Sequence, residues 1–374
     1  MRQTLIRLAL DAPWSGWQAV PGDVPHIGIC WVWLLISALL LVYYVLSGQK
    51  EALKSRETWI TMGIGLLALS LAHRFLPVPA TLPVFGYGMM VLLGFSCGFA
   101  FAWSRAKAIG INPDLVVDVA FWLLVSGVVG GRLAFLVQYW DHVFRPGITL
   151  PQALFNAINL SEGGLVLIGA LVGGGLGLLG FCLSRRQNLT QTAELADLLI
   201  PSVFIGVGFG RLGCLLNGCC FGDRCDLPWA IQFPAGSTTF NILVERGFVS
   251  PDALATFPLH PTQIYSSLDG FLLAFVTAVY YWYRKHPGDA LALGCMLYSI
   301  TRFLIEFLRS DEMGQLGTGL TISQLYSLGI FAFGVILLLT GPRRGSARRP
   351  VSVPSMPVPP GSTTASHPEK SKKD

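Results

Sequence analysis

Four arginines of this chain, Arg132, Arg211, Arg302 and Arg309, stand within or at the end of long apolar stretches. An arginine at membrane depth costs roughly 2.5–3.5 kcal/mol on insertion scales, so it faces a partner, a cavity or an anion. Glu306 follows Arg302 by four residues and precedes Arg309 by three, which places all three on one helix face. One carboxylate leaves most of four guanidiniums unmatched, and the planar fork of arginine fits a phosphate bidentately. This residue set therefore predicts a site for an anionic lipid headgroup. Taken singly, Arg132 or Arg309 also reads as a helix-end side chain reaching for the interface. Arg211 and Arg302 are flanked by apolar, glycine or small uncharged residues and read as site residues.

Around Arg211 runs Gly208-Phe-Gly-Arg-Leu-Gly-Cys-Leu-Leu-Asn-Gly-Cys-Cys-Phe-Gly222, whose glycines permit close backbone approach. Cys214, Cys219, Cys220 and Cys225 fall within 12 residues, while Cys30, Cys97, Cys182 and Cys295 are scattered in apolar sequence as small hydrophobes. An extracytoplasmic compartment and an even count favour two disulfides in the cluster. A zinc site ranks second, because C-x4-C-C-x4-C lacks the C-x2-C knuckle. A reactive thiol beside Arg211 ranks third, since a guanidinium lowers a thiol pKa. The six histidines form no H-E-x-x-H spacing, and neither a metal nor a cofactor is assigned.

The elements that position these residues follow from composition. Of 374 residues 52% are hydrophobic and 13% charged, with mean hydropathy +0.57. Apolar runs of the ~20 residues that cross a bilayer recur at about 27–47, 58–76, 84–104, 116–139, 163–183, 195–216, 263–283, 289–308 and 321–340. They lack the period-2 alternation of barrel strands, so the fold class is an all-α polytopic membrane protein. Lys50, Lys54 and Arg56, then Arg105 and Lys107, Arg185 and Arg186, Arg284 and Lys285, and the basic tail occupy alternate connections. Those are the cytoplasmic loops, which puts the N-terminus outside and the C-terminus in the cytoplasm. The pI near 8.8 then reflects topology, and no nucleic-acid partner is implied. The three spans that hold the four arginines all run outward, with the arginines in their later parts.

Residues 1–83 read as an extension with two transmembrane spans, 84–340 as a seven-span core, and 341–374 as a disordered basic cytoplasmic tail. Residues 1–24 lack a compact apolar stretch before a cleavage site, so no cleaved signal is expected. No internal repeat supports a transporter of inverted halves. The small residues of Gly169–Gly177 read as a close helix contact, and Trp140 and Trp229 as interface anchors.

The frame G-R-x-G-x-x-x-N-G-x-x-x-G, with Arg211, Gly213, Asn217 and Gly222, resembles the signature of prolipoprotein diacylglyceryl transferases. Phe85-Gly-Tyr-Gly-Met89, Gly130-Gly-Arg-Leu133, Glu162-Gly-Gly-Leu165, His260-Pro-Thr-Gln-Ile-Tyr265, Arg302–Arg309 and Thr321-Ile-Ser-Gln-Leu325 resemble further blocks of that family in order, over about residues 84–340. The resemblance implies transfer of the diacylglyceryl group of phosphatidylglycerol to the lipobox cysteine of a prolipoprotein, at the outer face of the bacterial inner membrane. It assigns Arg211 and Arg302 to the reacting phosphate and thiolate, with Tyr87, Arg132, Asn217, Glu306 and Arg309 shaping the headgroup pocket and His260 or Tyr265 lining it. Where many family members carry a histidine proposed as general base, this chain has Ile168. Cys214, Cys219 and Ser266 replace the family's usual Asn, Glu and Glu. Either another group takes the thiol proton, or the chain binds anionic lipid without turnover or serves another acceptor.

Overall fold

Among the described residues, which are 4–18, 24–46, 55–75, 81–144, 149–159, 166–309 and 319–341 of a computed structural model, each of the nine apolar runs is a helix. They are α1 Ile29–Leu46, α2 Arg56–Phe75, α3 Gly86–Ala108, α4 Pro113–Gln138, α7 Leu167–Ser184, α8 Leu189–Asn217, α10 Thr262–Tyr283, α11 Asp289–Glu306 and α12 Ile322–Thr340. Between them come shorter helices, α5 Trp140–Val143, α6 Leu150–Ile158 and α9 Thr238–Glu245. Helix starts carry local signals. Asn112 caps Asp114 N at 3.0 Å ahead of Pro113, and Thr321 with Gln324 forms a reciprocal capping box.

Helices α3, α4, α8, α10 and α12 are long and apolar enough to cross a membrane, and α1 and α7 contain shorter apolar stretches. α2 and α11 each carry three charged residues, those of α11 being Asp289, Arg302 and Glu306. The charges of α2, at residues 56, 57 and 74, stand at its ends, whereas Arg302 and Glu306 of α11 are buried. Large apolar side chains such as Leu272, Phe275, Leu304 and Ile336 stand exposed on the helices, as lipid contact requires. The protein is a multi-pass membrane protein.

The chain forms two compact units, residues 1–100 with 199–341, and residues 101–198. In the first, Ile200, Phe204, Leu273, Ala274 and Ala290 make a core among α8, α10 and α11. A second core of Phe221, Phe233, Leu243 and Leu259 supports the 218–261 connection. α1 and α2 pack together, Trp33 Nε1 donating to Met62 O at 3.0 Å. The sequence reading missed a three-stranded sheet of order β2-β1-β3, with β1 Thr4–Ala9, β2 His26–Gly28 and β3 Thr81–Phe85. β1 runs parallel to β2 and antiparallel to β3, opposing Leu8 to Leu82. This pairing crosses the boundary drawn at residue 83. β3 ends where α3 begins, so the sheet leads directly into Tyr87.

In the second unit the glycine run works as a helix contact. Gly169, Gly173 and Gly177 recur every four residues along α7 and meet Gly130 and Ser126 of α4. A Cβ on Gly130 would lie 2.7 Å from Gly173 Cα and would also strike Gly169 O. Gly130→Val is expected to force the two helices apart at a cost of about 1–3 kcal/mol or more. A lowered melting temperature of the detergent-purified variant checks this; an unchanged one rejects the contact. The Glu162–Leu165 block and the 342–374 tail lie outside the described residues.

Candidate functional site

The face of α11 expected from the spacing forms as an ion-pair network. Arg302 Nη1 lies 2.5 Å from Glu306 Oε2, and Arg309 Nε lies 3.8 Å from the same oxygen. Ser323 Oγ accepts from Arg302 Nη2 at 2.9 Å, and Thr321 Oγ1 donates to Glu306 Oε1 at 2.9 Å. Glu306 is 2% exposed, and the two guanidiniums and the hydroxyl take the place of its water. Thr321 and Ser323 stand at the start of α12, where the capping box fixes them.

Glycine contacts bring α8 against α3 and α10. A Cβ on Gly94 would lie 2.9 Å from Phe209 Cβ, and one on Gly213 3.0 Å from the Tyr87 ring. One on Gly270 would lie 2.8 Å from Gly208 N, where Ser267 Oγ also donates to Gly208 O at 2.9 Å. Arg211 is thereby held among α3, α8 and α10. Among the described residues it has neither a hydrogen bond nor an ion pair, yet its charge acts on Arg302 and is opposed by that of Arg309. Three guanidiniums gather at the Glu306 carboxylate, and in a water-poor setting such a concentration of positive charge favours a phosphate.

Beyond Asn217 the chain turns sharply, Gly218 at φ +70° and Cys220 at φ +61°. A non-glycine residue in the left-handed region costs about 1–3 kcal/mol, held here by surrounding bonds. Gln263 Nε2 donates to Cys219 O and Thr262 Oγ1 to Cys220 O, both at 2.8 Å, while Thr239 Oγ1 donates to Gly218 O at 2.6 Å. The start of α10 thus grips the turn that carries the cysteines. The sulfurs of Cys214, Cys219 and Cys220 lie within 4.8 Å of one another. Hydrogen bonds from Cys214 and Cys219, with the charges of Arg211 and Arg309, hold the Cys220 thiol below its usual range. At Cys219 the Cys214 bond acts downward, but the Cys220 bond and burial prevail and push the thiol up to about 11. The disulfides ranked first from the compartment are not formed: all eight cysteines are free, and the Cys219 and Cys220 sulfurs are 3.9 Å apart. A bonded pair needs about 2.05 Å. Cys225 is buried apart from the trio.

Gly222 N donates to His260 O at 3.1 Å, and Asp223 N to Leu308 O at 2.8 Å. A Cβ on Gly222 would come within 2.6 Å of both His260 Cβ and Leu308 O. Gly222→Ala is expected to shift this join by several tenths of an ångström and destabilise the fold by about 1–3 kcal/mol. Thermal melting of the variant measures this, and a melting curve like that of the parent rejects it.

The remaining candidates separate. Tyr87 sits beside the group, its hydroxyl acted on by Arg211 and all three sulfurs. Asn217 ends α8, and its carbonyl oxygen accepts from Thr238 Oγ1 at 3.2 Å beside the cysteine turn. His260 Nδ1 is 3.5 Å from the Tyr265 hydroxyl, which accepts from Trp229 Nε1 at 2.8 Å. Trp229, read from sequence as an anchor, therefore orients Tyr265. Arg132 belongs to the other unit and binds the end of α6: Nε donates to Ala157 O at 2.8 Å, and Nη2 to Asn156 O at 2.6 Å and Asn159 O at 2.8 Å. Ile168 lies in the first turn of α7 and Ser266 is buried in α10. The sequence reading missed Ser323, the role of Thr321, and Tyr298, whose hydroxyl acts on both Arg211 and Arg302. Its place four residues before Arg302, on the same helix face, was the available signal.

Helix bundle and site together define a polytopic membrane protein with an arginine group at the ends of its helices. Residues 75–340 match the family model described as prolipoprotein diacylglyceryl transferase, and the chain belongs to that family. It is 34% identical over 256 residues to phosphatidylglycerol–prolipoprotein diacylglyceryl transferase 2 of Clostridium perfringens, covering 68% of this chain and 90% of that one. It is 32% identical over 259 residues to the corresponding transferase of Clostridium tetani, covering 68% and 94%. With the Rhodopirellula baltica transferase it shares 27% identity over 451 aligned positions, covering 90% and 89%.

Proposed function

We propose that this chain transfers the diacylglyceryl group of phosphatidylglycerol to the lipobox cysteine thiol of prolipoproteins, at the outer face of the bacterial inner membrane. Its N-terminus lies outside and its C-terminus in the cytoplasm, with 84–340 as the catalytic core, 1–83 a two-span extension and 341–374 a tail. The observation that carries the reading is Arg211, which among the described residues has neither a hydrogen bond nor an ion pair and whose charge acts on Arg302 of the Arg302–Glu306–Arg309 network, inside the family-matched region. The relatives are named as transferases over most of their length, which does not favour lipid binding without turnover.

Phosphatidylglycerol brings one negative charge, and its glycerol phosphate leaves with more. Arginines already aimed at the phosphate therefore stabilise the transition state above the ground state. Arg211 takes the phosphate oxygens, and Arg302, its fork oriented by Glu306 and Ser323, sits against the same charge. Tyr87 and Asn217 shape the pocket beside the cysteine turn, and His260 with Tyr265 lines its outer side. The thiolate sulfur attacks the glyceryl carbon, the carbon–oxygen bond breaks toward phosphate, and a thioether remains. The purified chain, given phosphatidylglycerol and a lipobox peptide, is expected to yield a peptide heavier by one diacylglyceryl group, with glycerol phosphate released. A peptide with serine for the lipobox cysteine stays unmodified. No mass gain on the cysteine peptide overturns the proposal.

A further inference from the structure

The cysteine trio has no part in that scheme, although it lies against the arginines. Three features set it apart from buried small hydrophobes. The sulfurs of Cys214, Cys219 and Cys220 converge within 4.8 Å, although the last two are neighbours in sequence whose side chains ordinarily diverge. Their convergence depends on the left-handed backbone of Cys220 and on the bonds from Gln263 and Thr262 that hold the turn. All three residues are only partly buried, and among the described residues no fourth cysteine, histidine or carboxylate joins them.

These distances suit a metal. Zinc–sulfur bonds of about 2.3 Å in a tetrahedron put sulfurs roughly 3.8 Å apart, and the Cys219–Cys220 separation is 3.9 Å. Three thiolates with a divalent ion carry one net negative charge, opposite in sign to the Arg211 and Arg309 charges that act on Cys220. Three protein ligands with a partly exposed fourth position is the pattern of a reactive zinc site, where a structural site is closed by four. The sequence spacing ranked zinc below disulfides, because adjacent cysteines seldom share an ion. The turn at Cys220 removes that objection.

We propose that Cys214, Cys219 and Cys220 bind one zinc-class divalent ion, whose open position takes the acceptor cysteine of the peptide as its fourth thiolate. The inference rests on the transferase reading and deepens it. Glu306 is committed to two arginines and a threonine hydroxyl, so the acceptor thiol needs another means of losing its proton. On coordination the S–H bond breaks, and the proton leaves to bulk water. The sulfur pair then forms the S–C bond to the glyceryl carbon as the C–O bond breaks. That bonding pair stays on the phosphate oxygen, and glycerol phosphate departs with one more negative charge than the diester held. The thioether is neutral, a weak ligand, and vacates the position for the next substrate.

The test uses the full chain purified in detergent with metal-free buffers and then loaded with Zn(II) or Co(II). Expected is about one zinc per chain by elemental analysis, retained in Cys97→Ser and below a tenth of that in Cys214→Ser or Cys219→Ser. The Co(II) form of the unmutated chain should show a sulfur-to-cobalt charge-transfer band, so the result does not depend on the variants folding. That band should grow by about a third when three thiolates become four on adding a cysteine lipobox peptide, and stay unchanged with the serine peptide. Absence of both zinc and the band overturns the site. So does stoichiometric copper in its place, or a mass lower by the two hydrogens of a disulfide. A band indifferent to the cysteine peptide overturns the acceptor role. Full diacylglyceryl transfer by the metal-free chain also sinks this inference while leaving the proposed function standing. Metal and peptide bound without transfer sink the proposed function and leave the site.

Discussion

Arg302→Ala is expected to lower diacylglyceryl transfer by roughly 10²–10³-fold, the loss typical of removing one preorganised donor from a developing negative charge. It should also lower stability, by about 3–5 kcal/mol, because a 2%-exposed Glu306 loses its closest cation and, among the described residues, keeps Arg309 at 3.8 Å and the Thr321 hydroxyl. The two effects can be separated. Arg302→Ala combined with Glu306→Ala removes both members of the pair, so the stranded charge disappears and much of the stability returns. Activity should not return, since the guanidinium is still missing. Arg302→Lys offers a point charge that cannot serve Glu306 and Ser323 together as a planar fork does, and should remain far below the parent. Transfer rates and melting temperatures of these variants, measured side by side, decide the matter. A double variant that regains both stability and activity would reduce Arg302 to a structural ion pair.

Arg211→Ala should lose transfer to a similar extent, about 10²–10³-fold, with a melting temperature equal to the parent's or above it. The sign of the stability change follows from the structure. Arg211 has neither a hydrogen bond nor an ion pair to strand among the described residues, and its removal relieves repulsion with Arg302 and Arg309, which offsets the lost attraction of the Tyr298 hydroxyl and the Cys220 and Cys214 sulfurs. A cation that costs stability when no ligand is present is poised for an anion. Phosphatidylglycerol in the detergent should accordingly raise the melting temperature of the parent more than that of Arg211→Ala. Equal shifts would remove Arg211 from the phosphate site.

Much of this was legible in the sequence for physical reasons that apply unevenly. A spanning helix must be apolar for about 20 residues whatever its neighbours are, so the run at 195–216 anticipates α8, and 321–340 anticipates α12 almost to the residue. The Arg302–Glu306–Arg309 face was legible because helical spacing is local. Arg211 meeting that face was an inference from depth, and the same inference grouped Arg132 with them, although its fork holds the end of α6. Depth says nothing about which neighbour a side chain meets. Ser323 comes from a different helix, and no spacing rule links it to Arg302. The sheet escaped because β1 is short and β3 contains Pro83, which weakens any strand signal. The arrangement of the cysteines was not legible for another reason. Redox compartment predicts whether thiols pair, whereas the left-handed turn at Cys220 determines where these sulfurs point.

The pairing of β1 with β3 fastens both ends of the stretch that contains α1 and α2, as a clasp closes a loop of cord. Because β3 passes into α3 without an intervening linker, that clasp sits immediately before Tyr87. Tension applied to the α1–α2 loop, from a neighbouring protein or from a change in bilayer thickness, has the first turn of α3 as its nearest anchorage. The α1–α2 hairpin is thus mechanically in series with the start of α3, which carries Tyr87.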